Sequence, residues 1–178
     1  MAARKDYVDA VAPAYDDVLH AVSDRVARSG SLGKDDIGAL LFWKRLRADT
    51  RWARALHSIA DAEVRSITTE AVEAVSDESL DLSNAARKGR RALSKLPGLR
   101  TGDALASAIL LSGSPNRMAV YDRRAQSGLA KLGLTLTPAP GRYGRYMAVI
   151  DDLLQHRPVA ARKWTPRYVD TASFWLGA

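Results

Sequence analysis

Between Leu96 and Ala125 the chain reads LPGLRTGDALASAILLSGSPNRMAVYDRRA. An apolar helix end runs into a Pro-Gly turn. A second helix rich in small residues follows, and an extended Met-Ala-Val-Tyr segment then leads to Asp122. This order constrains the fold strongly, because two helices joined by so short a turn must pack on each other. Ala104, Ala106, Ser107 and Ala108 keep the second helix thin, so the first can approach closely. Leu93, Leu96, Leu99, Leu105, Ile109 and Leu110 then form the interior of the pair. Such a turn also presents backbone N–H groups beside the positive end of a helix dipole, which is a phosphate-binding device. Gly98 and Gly102 permit the unusual dihedrals and the close approach that it needs.

The rest of the chain also reads as helical. Tyr7 to Arg28 has helical spacing interrupted near Pro13, and Arg28 to Gly33 reads as a loop. Lys34 to Arg47 is predicted as a helix with Asp35 and Asp36 in its first turn. Arg51 to Val75 is predicted as one long amphipathic helix, with Trp52, Leu56, Ile59, Val64 and Ile67 inward. Ser83 is the expected N-cap of a helix over Asn84 to Leu96. Thr101 or Gly102 opens the next, to about Leu111. Pro115 makes Ser112 to Tyr121 irregular or extended. Asp122 stands where an N-cap would stand, before a helix ending near Lys131 to Gly133. Leu134 to Gly144 is turn-rich, and Tyr146 to His156 and Pro166 to Trp175 are the last helices. No strand shows convincing alternation, so the expected class is all-α, as a single domain over residues 1–178.

Composition narrows the chemistry. The 178 residues include no cysteine, which removes disulfides, thiolate zinc sites, iron–sulfur clusters and cysteine nucleophiles. His20, His57 and His156 have no ligand spacing, so no metal site is expected. The net charge of +7 is segregated. Residues 1–83 carry 11 Lys/Arg and 15 Asp/Glu, whereas residues 84–178 carry 16 Lys/Arg and 5 Asp/Glu. The basic half contains the Pro-Gly turn, which points to a polyanion partner. No apolar run is long enough for a membrane span, and the charged start MAARKDYVDAV lacks a signal-peptide core. A cytoplasmic, nucleoid-associated monomer without a membrane partner is the expectation.

The stretch from Leu96 to Ala125 resembles the helix–hairpin–helix DNA glycosylase superfamily, most closely a bacterial 8-oxoguanine glycosylase-like branch. In that superfamily a Leu-Pro-Gly-type hairpin leads into a helix like ALASAIL, and a catalytic Asp follows near the start of a later helix. With Ala106 matched to the usual alanine, Asp122 lies where the family Asp is expected. FWKRL at 42–46 and RYVDTASFWLG at 167–177 are weaker echoes. The resemblance implies a helix–hairpin–helix at about 84–112 in a helical bundle of two small lobes around a cleft. It implies double-stranded DNA as partner and excision of a damaged, 8-oxoguanine-like purine after base flipping. No cofactor is implied beyond a candidate monovalent cation at the hairpin carbonyls.

The implied site residues follow. Asp122 would stabilise the oxocarbenium-like sugar or activate water; helix capping is the competing role for the same carboxylate. Gly98, Arg100, Thr101, Gly102, Arg87, Lys88, Arg90, Arg91, Arg123 and Arg124 are candidate phosphate contacts. Trp43, Tyr121, Tyr168, Asp170, Phe174 and Trp175 are candidates for the base pocket. The chain departs from the family at the hairpin, where Arg100 replaces a glycine. Gly102 or Ala104 occupies the place of the lysine that bifunctional members use as an amine. Lys44, Lys88 and Lys95 are the candidate substitutes; without one, the usual lyase step is absent. Asp103 would repel a phosphate unless it points away. The alternatives to a glycosylase are a non-catalytic helix–hairpin–helix DNA-binding protein and a helical adaptor for an acidic protein.

Overall fold

The computed structural model describes residues 2–178. It contains ten α-helices, two short 3-10 turns and, among the described residues, no strand. The all-α expectation holds, with several boundaries moved by tertiary contacts.

α1 (Ala2–Ala10) is followed by a 3-10 turn at Pro13–Asp16 and by α2 (Asp17–Ser29). Pro13 lacks an N–H and so separates the two helices. α3 (Lys34–Trp43) starts where the Asp36 carboxylate accepts the Gly33 N–H at 3.0 Å, and Arg25 pairs with the same side chain at 2.7 Å. The helix was expected to reach Arg47 but stops at Trp43. Arg45 adopts φ 52°, and the Leu46 N–H returns to Leu41 O at 3.0 Å. This is a left-handed helix ending made with arginine instead of glycine, at a conformational cost of roughly 1 kcal/mol.

The long helix expected over Arg51 to Val75 is two helices, α4 (Arg51–His57) and α5 (Asp61–Ser76). Lys34 causes the break. Its Nζ donates to His57 O at 3.1 Å and Ile59 O at 2.9 Å, and its N–H donates to Asp61 Oδ1 at 2.7 Å. These bonds hold the carbonyls of the connection in a non-helical path. α6 (Leu82–Leu93) is capped by Asp81, which accepts the Asn84 N–H at 2.7 Å. The expected cap, Ser83, instead donates to Gly144 O at 2.9 Å and ties α6 to α9 (Arg142–Gln155). α9 begins earlier than the expected Tyr146.

α7 (Ala104–Gly113) is the central helix, buried from Leu105 to Ser112 and packed on α2, α3, α5 and α6. Its Ile109, Leu110 and Leu111 are almost fully buried, each worth about 1.5–3 kcal/mol of transfer free energy. One hydrophobic core runs around it from Leu19 to Val169. α8 (Arg123–Lys131) lies along α10 (Pro166–Leu176) at backbone contact. A Cβ at Gly128 would stand 1.8 Å from Ser173 O, and one at Gly177 1.8 Å from Arg124 O. That contact holds the start of α8, and so Asp122, beside the aromatic end of α10. Among the described residues no helix is long and apolar enough to cross a membrane.

Candidate active site and nucleic-acid interface

The segment Met118 to Tyr121 is buried, lies in neither helix nor strand, and so has no sheet partner. Buried backbone polar groups need partners, and here side chains supply them. Tyr143 OH donates to Ala119 O at 2.8 Å and Tyr146 OH to Val120 O at 3.1 Å. The Val120 N–H donates to Asp170 Oδ2 and the Tyr121 N–H to Ser107 Oγ, both at 2.9 Å. Burial pushes both phenols, Tyr143 and Tyr146, well above their ordinary value. This frame from α7, α9 and α10 fixes where the segment delivers Asp122.

Asp122 both caps α8 and faces Lys44, and it divides the two contacts between its oxygens. Oδ1 accepts the Ala125 N–H at 2.9 Å, capping α8, and Oδ2 faces Lys44 Nζ at 3.2 Å. The two side chains retain 22% and 12% of their exposure, enough for a ligand to reach a pair otherwise sheltered from water. Lys44 is the C-cap of α3, directly before the left-handed Arg45. Of the three candidate lysines it alone reaches Asp122. Lys88 pairs with Asp77 at 3.8 Å and Lys95 with Glu70, in a groove between α5 and α6.

Two cavities meet at this pair. The deeper, of about 420 Å³, is lined by Trp43, Phe174, Trp175, Tyr7, Tyr15 and Arg167 among others. The shallower, a groove of about 880 Å³, runs past Gly102, Tyr121, Arg123, Gln126 and Arg142. Lys44, Asp122, Arg124 and Phe174 line both. Both volumes fall in the range of small-molecule sites.

The expected base-pocket residues separate. Trp43, Phe174 and Trp175 line the deep cavity. Trp43 is held rigidly: its Nε1 donates to Asp16 at 3.1 Å and the Arg167 guanidinium lies 5.4 Å from its ring centre. Tyr121 lines the groove instead, edge-on to Tyr146. Tyr168 lines neither cavity and stacks under Arg4 at 4.5 Å. Asp170 borders the deep cavity, but its carboxylate is engaged by the Val120 N–H and by Arg167 at 2.9 Å. Burial pushes the Asp170 carboxyl up against the opposing pull of Arg167. It is a bracing group, not a free reader of a purine edge. Arg167 also reaches Asp16 at 3.3 Å, so it ties the N-terminal segment to α10. Sequence reasoning missed Tyr7, Tyr15 and Arg167. Only Arg167 carried a local signal, its position one turn before Asp170 on a helix face.

The hairpin residues separate too. Gly98 has φ 77°, but the place of its missing side chain is filled by Trp52, 2.2 Å from an ideal Cβ. That glycine makes room for a packing contact with α4. Gly102 has φ 84° with nothing within 4 Å of the same point. Among the described residues, the N–H groups of Arg100, Thr101 and Gly102 have no backbone acceptor, and all three residues are exposed. Arg123 and Arg124 are exposed at the groove. Arg87 lays its stem over Gly144, and Arg91 faces the α5–α6 groove with Lys88. Arg90 is turned inward. It donates to Asp103 Oδ1 at 3.0 Å, to Gly102 O at 3.0 Å and to Leu99 O. Arg142 takes the other Asp103 oxygen at 3.1 Å, so the repulsion expected from Asp103 is neutralised.

Among the described residues no three His, Asp or Glu side chains converge as a metal site. No protein-family model matches the chain, and neither a curated protein nor a solved structure does.

Proposed function

We propose that this protein is a DNA glycosylase that removes a damaged, 8-oxoguanine-like purine flipped out of double-stranded DNA. The observation that carries the reading is the Lys44–Asp122 pair at the shared mouth of an aromatic cavity and a basic groove. The base enters the deep cavity between Trp43, Phe174 and Trp175, because aromatic faces hold an unstacked base without regard to its edges. The strand lies along the groove, with phosphates near the free N–H groups of Arg100 to Gly102 and near Arg123 and Arg124.

Departure of the base leaves positive charge on the sugar, and the fixed Asp122 carboxylate stabilises that charge. Lys44 stands at the same carbon. The Lys44 ammonium, paired to Asp122, gives a proton to the departing base as the C1′–N9 bond breaks, and the amine so formed adds to C1′. One proton then passes from that nitrogen to O4′ as the C1′–O4′ bond opens, which leaves a protonated imine on Lys44. The amine thus comes from the end of α3 and not from the hairpin.

One assay tests both parts: base release and borohydride trapping on an 8-oxoguanine duplex. Release with a trapped adduct is expected, the adduct disappearing in Lys44→Ala and release in Asp122→Asn. No release across a panel of damaged purines overturns the glycosylase reading. Release without an adduct overturns the role of Lys44 as nucleophile.

A further inference from the structure

We infer that Arg90 is a built-in cation of the hairpin, which makes the turn independent of any bound monovalent metal ion. The inference rests on the chain's own polar groups. The carbonyls Leu99 O and Gly102 O both accept from one guanidinium, through NH1 and NH2. Its Nε donates to Asp103 at the start of α7. A planar fork of five N–H donors suits three acceptors at once; an ammonium, as a point charge, does not. The Arg90 side chain keeps only 15% of its exposure, so the fork is largely shielded from competing water.

A turn that points its N–H groups at a phosphate leaves carbonyl dipoles on its other side, and converging carbonyls need a positive partner. A metal ion bound there would use Leu99 O and Gly102 O, the same oxygens that Arg90 holds. The residues present do not fit the ion that the hairpin resemblance implies. Arg90 and Arg142 flank Asp103 and leave a net positive cluster behind the open N–H groups of Arg100 to Gly102. The charge is therefore covalently tethered to α6 and does not vary with the ions in solution.

The test compares cations at one ionic strength: potassium, sodium, caesium and tetramethylammonium chloride. Thermal midpoint and affinity for an undamaged duplex are both measured. The wild-type protein is expected to give the same midpoint and affinity in all four salts. Arg90→Ala is expected to lose about tenfold in affinity in tetramethylammonium, the worth of a charge-assisted bond. Sodium or potassium restores part of that loss by entering the vacated carbonyls. Arg90→Lys, which keeps the charge but not the fork, keeps the fold and lies between. A wild-type protein that needs sodium or potassium overturns the inference. So does an Arg90→Ala protein unchanged in both readouts. The inference relies on the DNA-binding reading only for the affinity arm. Failure to bind any duplex sinks that reading, while the thermal arm still decides the role of Arg90.

Discussion

Lys44 Nζ lies 3.2 Å from Asp122 Oδ2 although 78 residues separate them in the chain. One residue caps the end of α3 and the other the start of α8, so both backbones are fixed by helix termini. Both ends of the pair are set by rigid elements, as a preorganised site requires.

The divided role of Asp122 makes its variants distinguishable. In Asp122→Asn the amide oxygen still accepts the Ala125 N–H, so the thermal midpoint should stay near wild type. Base release should fall by about 10²-fold or more, as when a group aimed at transition-state charge is removed. Asp122→Ala should lose the cap as well, at about 1 kcal/mol. Single-turnover release and thermal melts on both variants check this. Full release by the Asn variant would leave the carboxylate with capping alone.

The aromatic cavity should discriminate among aromatic residues. Phe174→Ala or Trp175→Ala should lower kcat/KM on a damaged duplex by about tenfold, the lower range of base–aromatic stacking. Tyr168→Ala should change it little, because Tyr168 lies outside both cavities. Steady-state kinetics on the three variants would reveal an equal loss in all as a general folding effect.

The groove arginines should govern salt dependence. Arg123→Ala and Arg124→Ala should each reduce the slope of log affinity against log salt by about 1. Lys95→Ala should leave the slope unchanged, because Lys95 is paired to Glu70 away from the groove. Binding isotherms at four salt concentrations suffice to measure this.

Two glycines should respond unequally to a methyl group. Gly128→Ala forces a Cβ against Ser173 O, at 1.8 Å in the unrelaxed structure, and should destabilise by about 3 kcal/mol or more. Gly102→Ala meets nothing and pays only left-handed strain, about 1 kcal/mol. Urea denaturation of the two variants makes the comparison.

Stability should fall on the alkaline side. Burial raises Tyr7 to about 12 and also raises Tyr143 and Tyr146. An unfolded phenol ionises near 10. The stability that these phenols contribute is therefore complete below pH 10 and is lost as pH climbs through the folded values. Denaturation midpoints between pH 8 and 12, with tyrosinate absorbance as a second probe, should follow that course.

Much of the helix content was legible because periodicity and breakers act locally. Pro13, Pro115 and the Asp122 cap lie where sequence reasoning placed breaks and starts. Two of the failures share one cause. Lys34 breaks the helix expected over Arg51 to Val75, and Gly144 diverts Ser83 from its capping role. In each case a partner distant in sequence outbids a local preference. The capping role of Asp122 was legible from its place before a helix, whereas Asp170 looked like a free acceptor until Val120 and Arg167 were seen to engage it.

By itself, then, the sequence determined the all-α class, a turn between α6 and α7, the segregated positive charge and the capping position of Asp122. These follow from periodicity, Pro and Gly stereochemistry and composition, all short-range or additive properties. Only the tertiary structure decided that Lys44, not Lys88 or Lys95, meets Asp122, and that Arg90 turns inward while Arg123 faces the groove. It also decided that Tyr7 and Tyr15 join an aromatic cavity with α10. Those outcomes depend on which helix faces touch, and close packing around α7 and across Gly128 settles that only when the whole chain is folded.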